Sequence, residues 1–270
     1  MVLRIAERLL PVYVAEYTQS VPSLKDKTAL VTGASRGLGA AIATALAEQG
    51  ARVAVNYFAS EGRAEQLCWD LNSRSCTTRA FRADVRDESQ IAAMVREIEK
   101  SFGHIDILVP NATGHQPFLS IEEQTWQSHM DQLEFFVKSP LLLLQSVLSG
   151  MKERRFGRVI QVGSEVVELG NPRFANYVAA KGAQLAATRS WARELAPFGI
   201  TVNLVAPGWI PTDRSVDATK EEKQAYIDRV PMQHMGTPED VGRTVAFLAS
   251  DAARFITGQK IAVNGGNTLE

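Results

Sequence analysis

The segment that most constrains the fold is a glycine-rich turn between an apolar run and an alanine-rich stretch near the start of the chain. The pattern predicts a buried strand at Thr28–Thr32 and a helix at Leu38–Gln49. The turn Thr32–Gly39 carries three glycines, Gly33, Gly37 and Gly39. Such a turn is common in itself, but after a strand it lets a pyrophosphate approach the amides at a helix N-terminus. The segment therefore predicts a dinucleotide-binding strand–turn–helix unit.

The rest of the chain repeats the alternation of short apolar runs and longer amphipathic stretches. Further strands are predicted at Arg52–Val55, Thr78–Arg82, Ile105–Val109, Arg158–Val162, Ile200–Val205 and Lys260–Val263. Helices are predicted at Gly62–Leu71, Glu88–Phe102, Glu122–Lys152 with a kink at Pro140, Ala175–Leu195, and from Thr237 onward. This alternation is typical of a parallel sheet covered by helices on both faces. We predict one doubly wound α/β domain of Rossmann type over residues 25–270, with residues 1–24 as an N-terminal extension.

Composition argues against several other classes of protein. The chain has 270 residues and a formal net charge of −1, which gives no indication of a nucleic-acid partner. No apolar stretch approaches the roughly 20 residues that a membrane span requires. The two cysteines, Cys68 and Cys76, have no metal-ligand spacing and are typical of reduced thiols. We expect a cytoplasmic protein with no metal site and no membrane or nucleic-acid partner.

A tyrosine and a lysine four residues apart suggest acid–base chemistry. Tyr177 and Lys181 fall in the predicted helix Ala175–Leu195, where residues four apart share one face. A free phenol, with a pKa of about 10, is a poor acid–base catalyst at neutrality. A neighbouring ammonium favours the phenolate form and so assists proton transfer. The pair alone occurs on many helices, so its meaning depends on the other motifs.

The end of the second predicted strand bears on the choice between NAD and NADP. An acidic residue there would bond the ribose 2′-hydroxyl and repel a 2′-phosphate. The chain has Asn56, Tyr57 and Phe58 instead, and the nearest acid is Glu61. Arg36, within the glycine turn, is either a partner for phosphate oxygens or a solvated surface side chain. These residues favour NADP(H) as the cofactor.

Taken together, the motifs resemble the short-chain dehydrogenase/reductase family from about Lys25 to Gly266, and most closely its 3-oxoacyl-carrier-protein reductase subgroup. The matching segments are Thr32–Gly39, Asp84-Val85, Asn111-Ala112, Gly163-Ser164, Tyr177–Lys181, Pro207-Gly208 with Thr212, and Ile256–Gln259. The resemblance implies an NADP-dependent oxidoreductase that acts on CH–OH/C=O groups. Several motifs in the same order are a far stronger indication than any one of them.

The resemblance also implies a role for each matched residue. Ser164 would hydrogen-bond the substrate carbonyl, Tyr177 would donate the proton, and Lys181 would bind the nicotinamide ribose. Asp84 and Val85 would contact the adenine. The full set of implied cofactor contacts is Gly33, Ser35, Arg36, Gly37, Leu38, Gly39, Asn56, Tyr57, Asp84, Val85, Asn111, Ala112, Tyr177, Lys181, Pro207, Gly208, Ile210 and Thr212.

Two departures from the family pattern stand out. After the fourth strand the family often has Asn-Asn-Ala-Gly, whereas this chain has Pro110 and Thr113 at the outer positions. Aligning the following long helix places Phe136 where the family carries a catalytic asparagine that holds relay water. Gln132 is an alternative water-binding residue. The departures keep open a second interpretation, a weakly active or regulatory homologue that binds the cofactor.

The substrate stays open between a 3-oxoacyl thioester on acyl carrier protein or coenzyme A, and a sugar, polyol or secondary-metabolite ketone. The charged segment Pro211–Met235 is the expected lid, and the candidate pocket residues are His115, Gln116, Glu165 and Val166. A basic cluster either docks an acidic carrier protein or is a solvated face; its members are Lys152, Arg154, Arg155 and Arg158. Small residues along the helix Ala175–Leu195 permit close approach of a second helix. The family resemblance implies a two-fold interface there, so we expect a homo-oligomer, either a dimer or a tetramer.

Overall fold

Seven strands form one parallel sheet in this computed structural model, which describes residues 23–213 and 218–269. The strands are β1 Thr28–Val31, β2 Arg52–Tyr57, β3 Thr77–Arg82, β4 Ile107–Val109, β5 Gly157–Val162, β6 Ile200–Pro207 and β7 Lys260–Val263. Their order in the sheet is β3-β2-β1-β4-β5-β6-β7. The predicted sheet is confirmed. All but the last two residues of the predicted extension, residues 1–24, lie outside the described ranges.

Helices connect the strands and cover both faces of the sheet. They are α1 Gly37–Glu48, α2 Glu61–Ser73, α3 Glu88–Phe102, α4 Trp126–Leu133, α5 Ser139–Arg154, α6 Val166–Leu169, α7 Ala175–Leu195, α8 Lys220–Ile227 and α9 Pro238–Ala249. In the described part of the chain, no helix combines the length and apolarity that crossing a membrane demands. The two short helices α6 and α8 were not predicted.

Alternate residues of the strands enter two separate cores. Val31 and Val53 pack with Leu46 of α1 and Val245 of α9 on one face of the sheet. The neighbouring residue Leu30 packs on the opposite face, in a core that also holds side chains from α3 and α5. Because side chains alternate along a strand and both faces are covered, the central strands are buried on both faces and are mostly apolar. Every residue of β1, β4 and β6 is buried.

The sheet has a switch point between β1 and β4. From β1 the chain winds outward through β2 to β3, and then crosses back to β4 on the other side of β1. Val31 at the end of β1 is in register with Val55 on one side and Val109 on the other. The connections after β1 and β4 therefore diverge, and they leave a crevice at the carboxyl ends of the strands.

The long helix before β5 departs from its prediction. A π-helical segment, Glu134–Lys138, which was not predicted, lies between α4 and α5, just before Pro140. The Ser139 amide there donates to the carbonyl of Glu134, five residues back. Pro140 has no amide proton, so the α-helical bond to the carbonyl of Phe136 is absent. The wider turn follows from that loss, and turns of this kind often occur at functional sites.

Candidate active site

A cavity of about 1150 Å³ opens at the switch point. Its wall comes from the turn after β1, the ends of β2 and β3, and the segments after β4, β5 and β6. Predicted site residues that line it are Gly33, Ser35, Arg36, Gly37, Leu38, Gly39, Asn56, Tyr57, Asp84, Val85, Asn111, Ala112, Ser164, Tyr177, Gly208, Ile210 and Thr212. The candidate pocket residues His115, Gln116, Glu165 and Val166 line it too. Pro207 is buried at the end of β6, and Lys181 lies buried behind Tyr177.

The glycine turn is held by polar side chains of the two neighbouring strands. The side-chain oxygen of Asn56 accepts a hydrogen bond of 3.1 Å from the Gly33 amide. The side-chain amide of Asn111 donates to the carbonyl of Thr32 at 2.9 Å. The hydroxyl of Thr32 accepts from the backbone amides of Asn111 at 2.9 Å and Ala112 at 3.0 Å. Asn56 and Asn111, predicted as cofactor contacts, thus also shape the turn.

The turn has the shape that a pyrophosphate requires. A Cβ atom at Gly39 would lie 2.3 Å from the carbonyl oxygen of Gly33, and Gly33 itself has a φ of +61°. Arg36 is the N-cap residue of α1, and its side chain makes no capping hydrogen bond to the amides of the first helical turn. An anion is a natural acceptor for these amides. The residues present therefore fit a dinucleotide cofactor.

The end of β2 contains a tyrosine–glutamate pair. The hydroxyl of Tyr57 donates to Glu61 at 2.7 Å. This bond, together with burial, raises the pKa of Tyr57 to about 12. Phe58, Ala59 and Ser60 line the cavity beyond Tyr57. Tyr57 thus lines the cavity while its hydroxyl is hydrogen-bonded to Glu61 at the start of α2.

The carboxylate of Asp84, predicted to contact adenine, is engaged with a neighbour. Arg86 binds it through Nε at 3.0 Å and Nη2 at 2.7 Å. These hydrogen bonds hold the pKa of Asp84 below its usual value. The ion pair stays at the cavity wall, where both residues contribute to the lining. The guanidinium also lies 5.1 Å from the centre of the Phe135 ring.

Two of the three predicted catalytic residues line the cavity, and the third lies buried beside one of them. Tyr177 is 9% exposed and lines the wall together with Ser164, whose hydroxyl accepts from the Val166 amide at 3.3 Å. Lys181 is 3% exposed, and its Nζ lies 5.6 Å from the centre of the Tyr177 ring. That Nζ donates to the carbonyl of Val162 at 2.6 Å and to Oε1 of Gln184 at 3.1 Å.

Phe136 lies against both members of the tyrosine–lysine pair. The centre of its ring is 3.8 Å from Nζ of Lys181, which places the ammonium over the aromatic face. The same ring meets Tyr177 edge-on, with centroids 5.3 Å apart. The alternative Gln132 uses its side-chain amide to donate to the carbonyl of His115 at 2.9 Å. An apolar ring therefore occupies the space beside the lysine.

Comparison with known proteins places the chain in a family. A family model described as enoyl-(acyl carrier protein) reductase matches residues 33–268. A 3-oxoacyl-(acyl-carrier-protein) reductase of Staphylococcus aureus strain Mu50 is 42% identical over 242 residues, covering 89% of this chain and 97% of the relative. The Vibrio cholerae protein of the same name is 41% identical over 246 residues, covering 90% and 98%. The chain belongs to the short-chain dehydrogenase/reductase family.

Solved structures agree with this assignment. A putative gluconate dehydrogenase of Agrobacterium tumefaciens superposes with a TM-score of 0.86 at 31% identity, covering 92% of this chain and 98% of that one. A Serratia marcescens short-chain dehydrogenase/reductase variant gives 0.85 at 33% identity, covering 91% and 99%. The predicted family and the doubly wound fold are thereby confirmed. So are the oxidoreductase class and a nicotinamide cofactor, for which the sequence favours NADP(H).

Several residues of this reductase site were not singled out from the sequence. Gln184 bonds Lys181, and Phe174 stacks on Tyr177 with centroids 4.7 Å apart. Gln184 follows Lys181 by three residues on one helix, so helical spacing would have paired them. Tyr226 and Trp209 also line the cavity. The Thr219–Glu222 capping box marks the start of α8, the helix that carries Tyr226.

Replacing Phe136 tests whether its ring excludes a water-mediated proton route to Lys181. We expect Phe136→Asn to raise turnover, because an amide beside the ammonium holds water where the ring does not. The same change should lower the free energy of unfolding by roughly 1–3 kcal/mol, since it places an amide in an apolar site. Turnover and melting temperature are measured on the same preparation.

Phe136→Leu is the matched control, because it loses the ring and adds no polar group. Equal turnover in the two variants would contradict the water route.

Proposed function

We propose that the chain is an NADPH-dependent carbonyl reductase with Tyr177 as general acid and a 3-oxoacyl thioester as its substrate. The proposal depends most on one observation: Ser164 and Tyr177 line the cavity that also contains the glycine turn, with Lys181 directly behind. The names of the 3-oxoacyl-(acyl-carrier-protein) reductase relatives support the substrate class. The substrate would be carried on acyl carrier protein or coenzyme A.

The reaction divides into hydride and proton transfer. The bound nicotinamide supplies the hydride, and the residues predicted to hold its end of the cofactor are Pro207, Gly208, Ile210 and Thr212. In this proposal, the Ser164 hydroxyl donates a hydrogen bond to the substrate carbonyl oxygen and polarises it. Tyr177 passes its proton to that oxygen. The ammonium of Lys181 stabilises the negative charge that develops on the phenol oxygen, and Val162 and Gln184 orient it.

The cavity wall near β2 supports NADPH rather than NADH. Arg36 is exposed at the N-terminus of α1 and lines the cavity, where its guanidinium is available to a phosphate. Phe58, Ala59 and Ser60 form the facing wall, and none of them carries a charge. Glu61, the nearest acid in sequence, accepts the hydroxyl of Tyr57 on the first turn of α2.

The basic cluster between the end of α5 and the start of β5 gives little support to carrier docking. Arg158 is 4% exposed and donates to the Gly157 carbonyl, while Arg154 donates to the Ile105 carbonyl and Arg155 to that of Pro197. The cluster also lies at the amino end of β5, whereas the cavity opens at the carboxyl ends of the strands. Its charges are used mainly within the fold.

The competing proposal of a regulatory homologue is less well supported. Phe136 and Pro110 motivated it, but neither disrupts the arrangement of Ser164, Tyr177 and Lys181 around the cavity. The Pro110 carbonyl accepts from the Val162 amide at 3.3 Å, so the chain remains tied to β5 there.

Substituting the catalytic pair separates proton transfer from cofactor binding. Tyr177→Phe should abolish ketone reduction and leave NADPH affinity close to that of the wild type, because only the hydroxyl is lost. Lys181→Ala should impair both, since the ammonium serves the cofactor and the tyrosine. Ketone-dependent NADPH oxidation and NADPH titration by fluorescence measure the two effects. Substantial turnover in Tyr177→Phe would exclude the tyrosine as the acid.

Removing Arg36 tests the cofactor preference. Arg36→Ala should weaken NADPH binding by about 1–3 kcal/mol, the range for a hydrogen bond to a charged group, and change NADH binding little. Dissociation constants for both cofactors, measured at one fixed ionic strength, check this. Arg63→Ala is a suitable control, because Arg63 is also exposed but pairs with Asp213. Equal losses for the two cofactors would contradict a role for Arg36 at the 2′-phosphate.

We further propose a homo-oligomer built on α7. Ala179 and Ala186 on this helix are exposed, whereas Gln184 and Thr188 are buried on the face that packs against the sheet. The exposed small residues permit close approach of a second helix. Light scattering at micromolar concentration should therefore give two or four times the 29.6 kDa chain mass. Ala186→Arg should lower that mass, and a wild-type mass of one chain would refute the proposal.

A further inference from the structure

A buried carboxylate directly follows the proposed catalytic serine. Glu165 is 3% exposed, and its amide donates to the carbonyl of Pro207 at 3.1 Å. Its Oε1 accepts the hydroxyl of Tyr226 at 2.8 Å, and its Oε2 accepts the side-chain amide of Asn267 at 3.1 Å. Tyr226 is 61 residues away in sequence and Asn267 is 102 away. One carboxylate thus joins three distant parts of the chain.

Tyr226 extends this connection to the segment after β6. Its hydroxyl accepts the backbone amide of Trp209 at 2.8 Å while donating to Glu165. The rings of Trp209 and Tyr226 meet edge-on, with centroids 5.5 Å apart. A Cβ atom at Gly208 would lie 2.3 Å from the tyrosine oxygen, so the backbone passes very close to it. We call the group formed by Glu165, Tyr226, Asn267 and the Trp209 amide the Glu165 clasp.

The position of the clasp points to a role beyond stability. Glu165, Tyr226 and Trp209 all line the cavity that contains Ser164 and Tyr177. Burying a carboxylate is costly, and the two side chains that bond it here are neutral donors. An apolar group of similar shape would often be as stable in such a place. The clasp instead sets the geometry between α8, the Gly208–Trp209 turn and the strand end that carries Ser164.

We propose that Glu165 is a positioning residue, which holds the lid helix α8 and the Gly208–Trp209 turn in place over the substrate end of the cavity. The proposal rests on the proposed reductase function, because it assigns Ser164 and Tyr177 to the carbonyl. Glu165 acts through other residues, because its carboxylate bonds Tyr226 of α8 and does not have to touch the substrate. Losing one of its bonds should loosen α8 and weaken substrate binding more than it slows the chemical step.

Glu165→Gln and Tyr226→Phe test the clasp, since each keeps the shape of the side chain and removes the charge or the hydroxyl. We expect KM for a 3-oxoacyl thioester to rise about tenfold in each variant, as for the loss of one charge-assisted hydrogen bond. The turnover number should change less than KM. The loss in the double variant should be smaller than the sum of the two single losses, because both changes disrupt the Tyr226–Glu165 hydrogen bond. An additive double variant would contradict the assignment.

Limited trypsin digestion provides a readout that needs neither cofactor nor substrate. Cleavage at Lys220, Lys223 and Arg229 reports opening of α8, and it should be faster in both clasp variants than in the wild type. Because this measurement is independent of turnover, it tests the clasp even where no ketone is reduced. Unchanged cleavage in both variants would overturn the clasp. Faster cleavage with an unchanged KM would overturn its positioning role.

Glu222→Ala is the control on the same helix. Glu222 accepts the Thr219 amide at 2.8 Å in the capping box of α8, and it is exposed. Removing this acceptor should fray the start of the helix and speed cleavage at Lys220, while KM stays at the wild-type value. A KM rise in Glu222→Ala as large as in Glu165→Gln would show that any weakening of the helix suffices, and would overturn a specific role for Glu165.

Discussion

The structure depends on the hydrogen bonds that hold the glycine turn at the switch point of the sheet. Asn56 from β2, Asn111 after β4 and Thr32 at the end of β1 meet there, and each bonds backbone atoms of the turn or of its neighbours. The glycines of the turn carry no side chains, so they cannot supply these contacts themselves. Polar residues on the flanking strands satisfy the backbone instead, and keep the amides of α1 directed at the cavity. The cofactor end of the site is thus set by the sheet itself.

The parts of this protein that follow from periodicity were predictable, and those that follow from long-range side-chain contacts were not. Strand alternation predicts the sheet, and parallel strands bring their carboxyl ends to one edge, which explains why Ser164 and the glycine turn share a cavity. A kink was expected at Pro140, but its exact form was not: a π-helical segment, Glu134–Lys138, lies just before the proline. No local pattern connects Glu165 with Tyr226, because the contact forms only after β5 and α8 are in place.

The ring of Phe136 gives Lys181 an apolar neighbour, and the ammonium is stabilised by other contacts as well as by the ring. A buried ammonium needs acceptors or an aromatic face, since desolvation otherwise disfavours the charged form. For Lys181 these come from the Val162 carbonyl, from Gln184 one turn along its own helix, and from the ring of Phe136. Cation–π contacts of this geometry are favourable when both groups are desolvated. These contacts hold the lysine beside Tyr177 in a pocket that is apolar on the Phe136 side.

The two ends of the cavity are stabilised in different ways, and this bears on how such a protein can acquire a new substrate. Backbone geometry and strand register fix the cofactor end, so most substitutions there disturb the fold as well. At the substrate end, the carboxylate of Glu165 joins three segments: α8, the Gly208–Trp209 turn and the chain near Asn267. Loops and short helices on a rigid scaffold tolerate change, and function on a shared fold is determined by the site they carry. Glu165, which directly follows Ser164, joins such segments to the end of β5 and so fixes the position of α8 relative to Ser164.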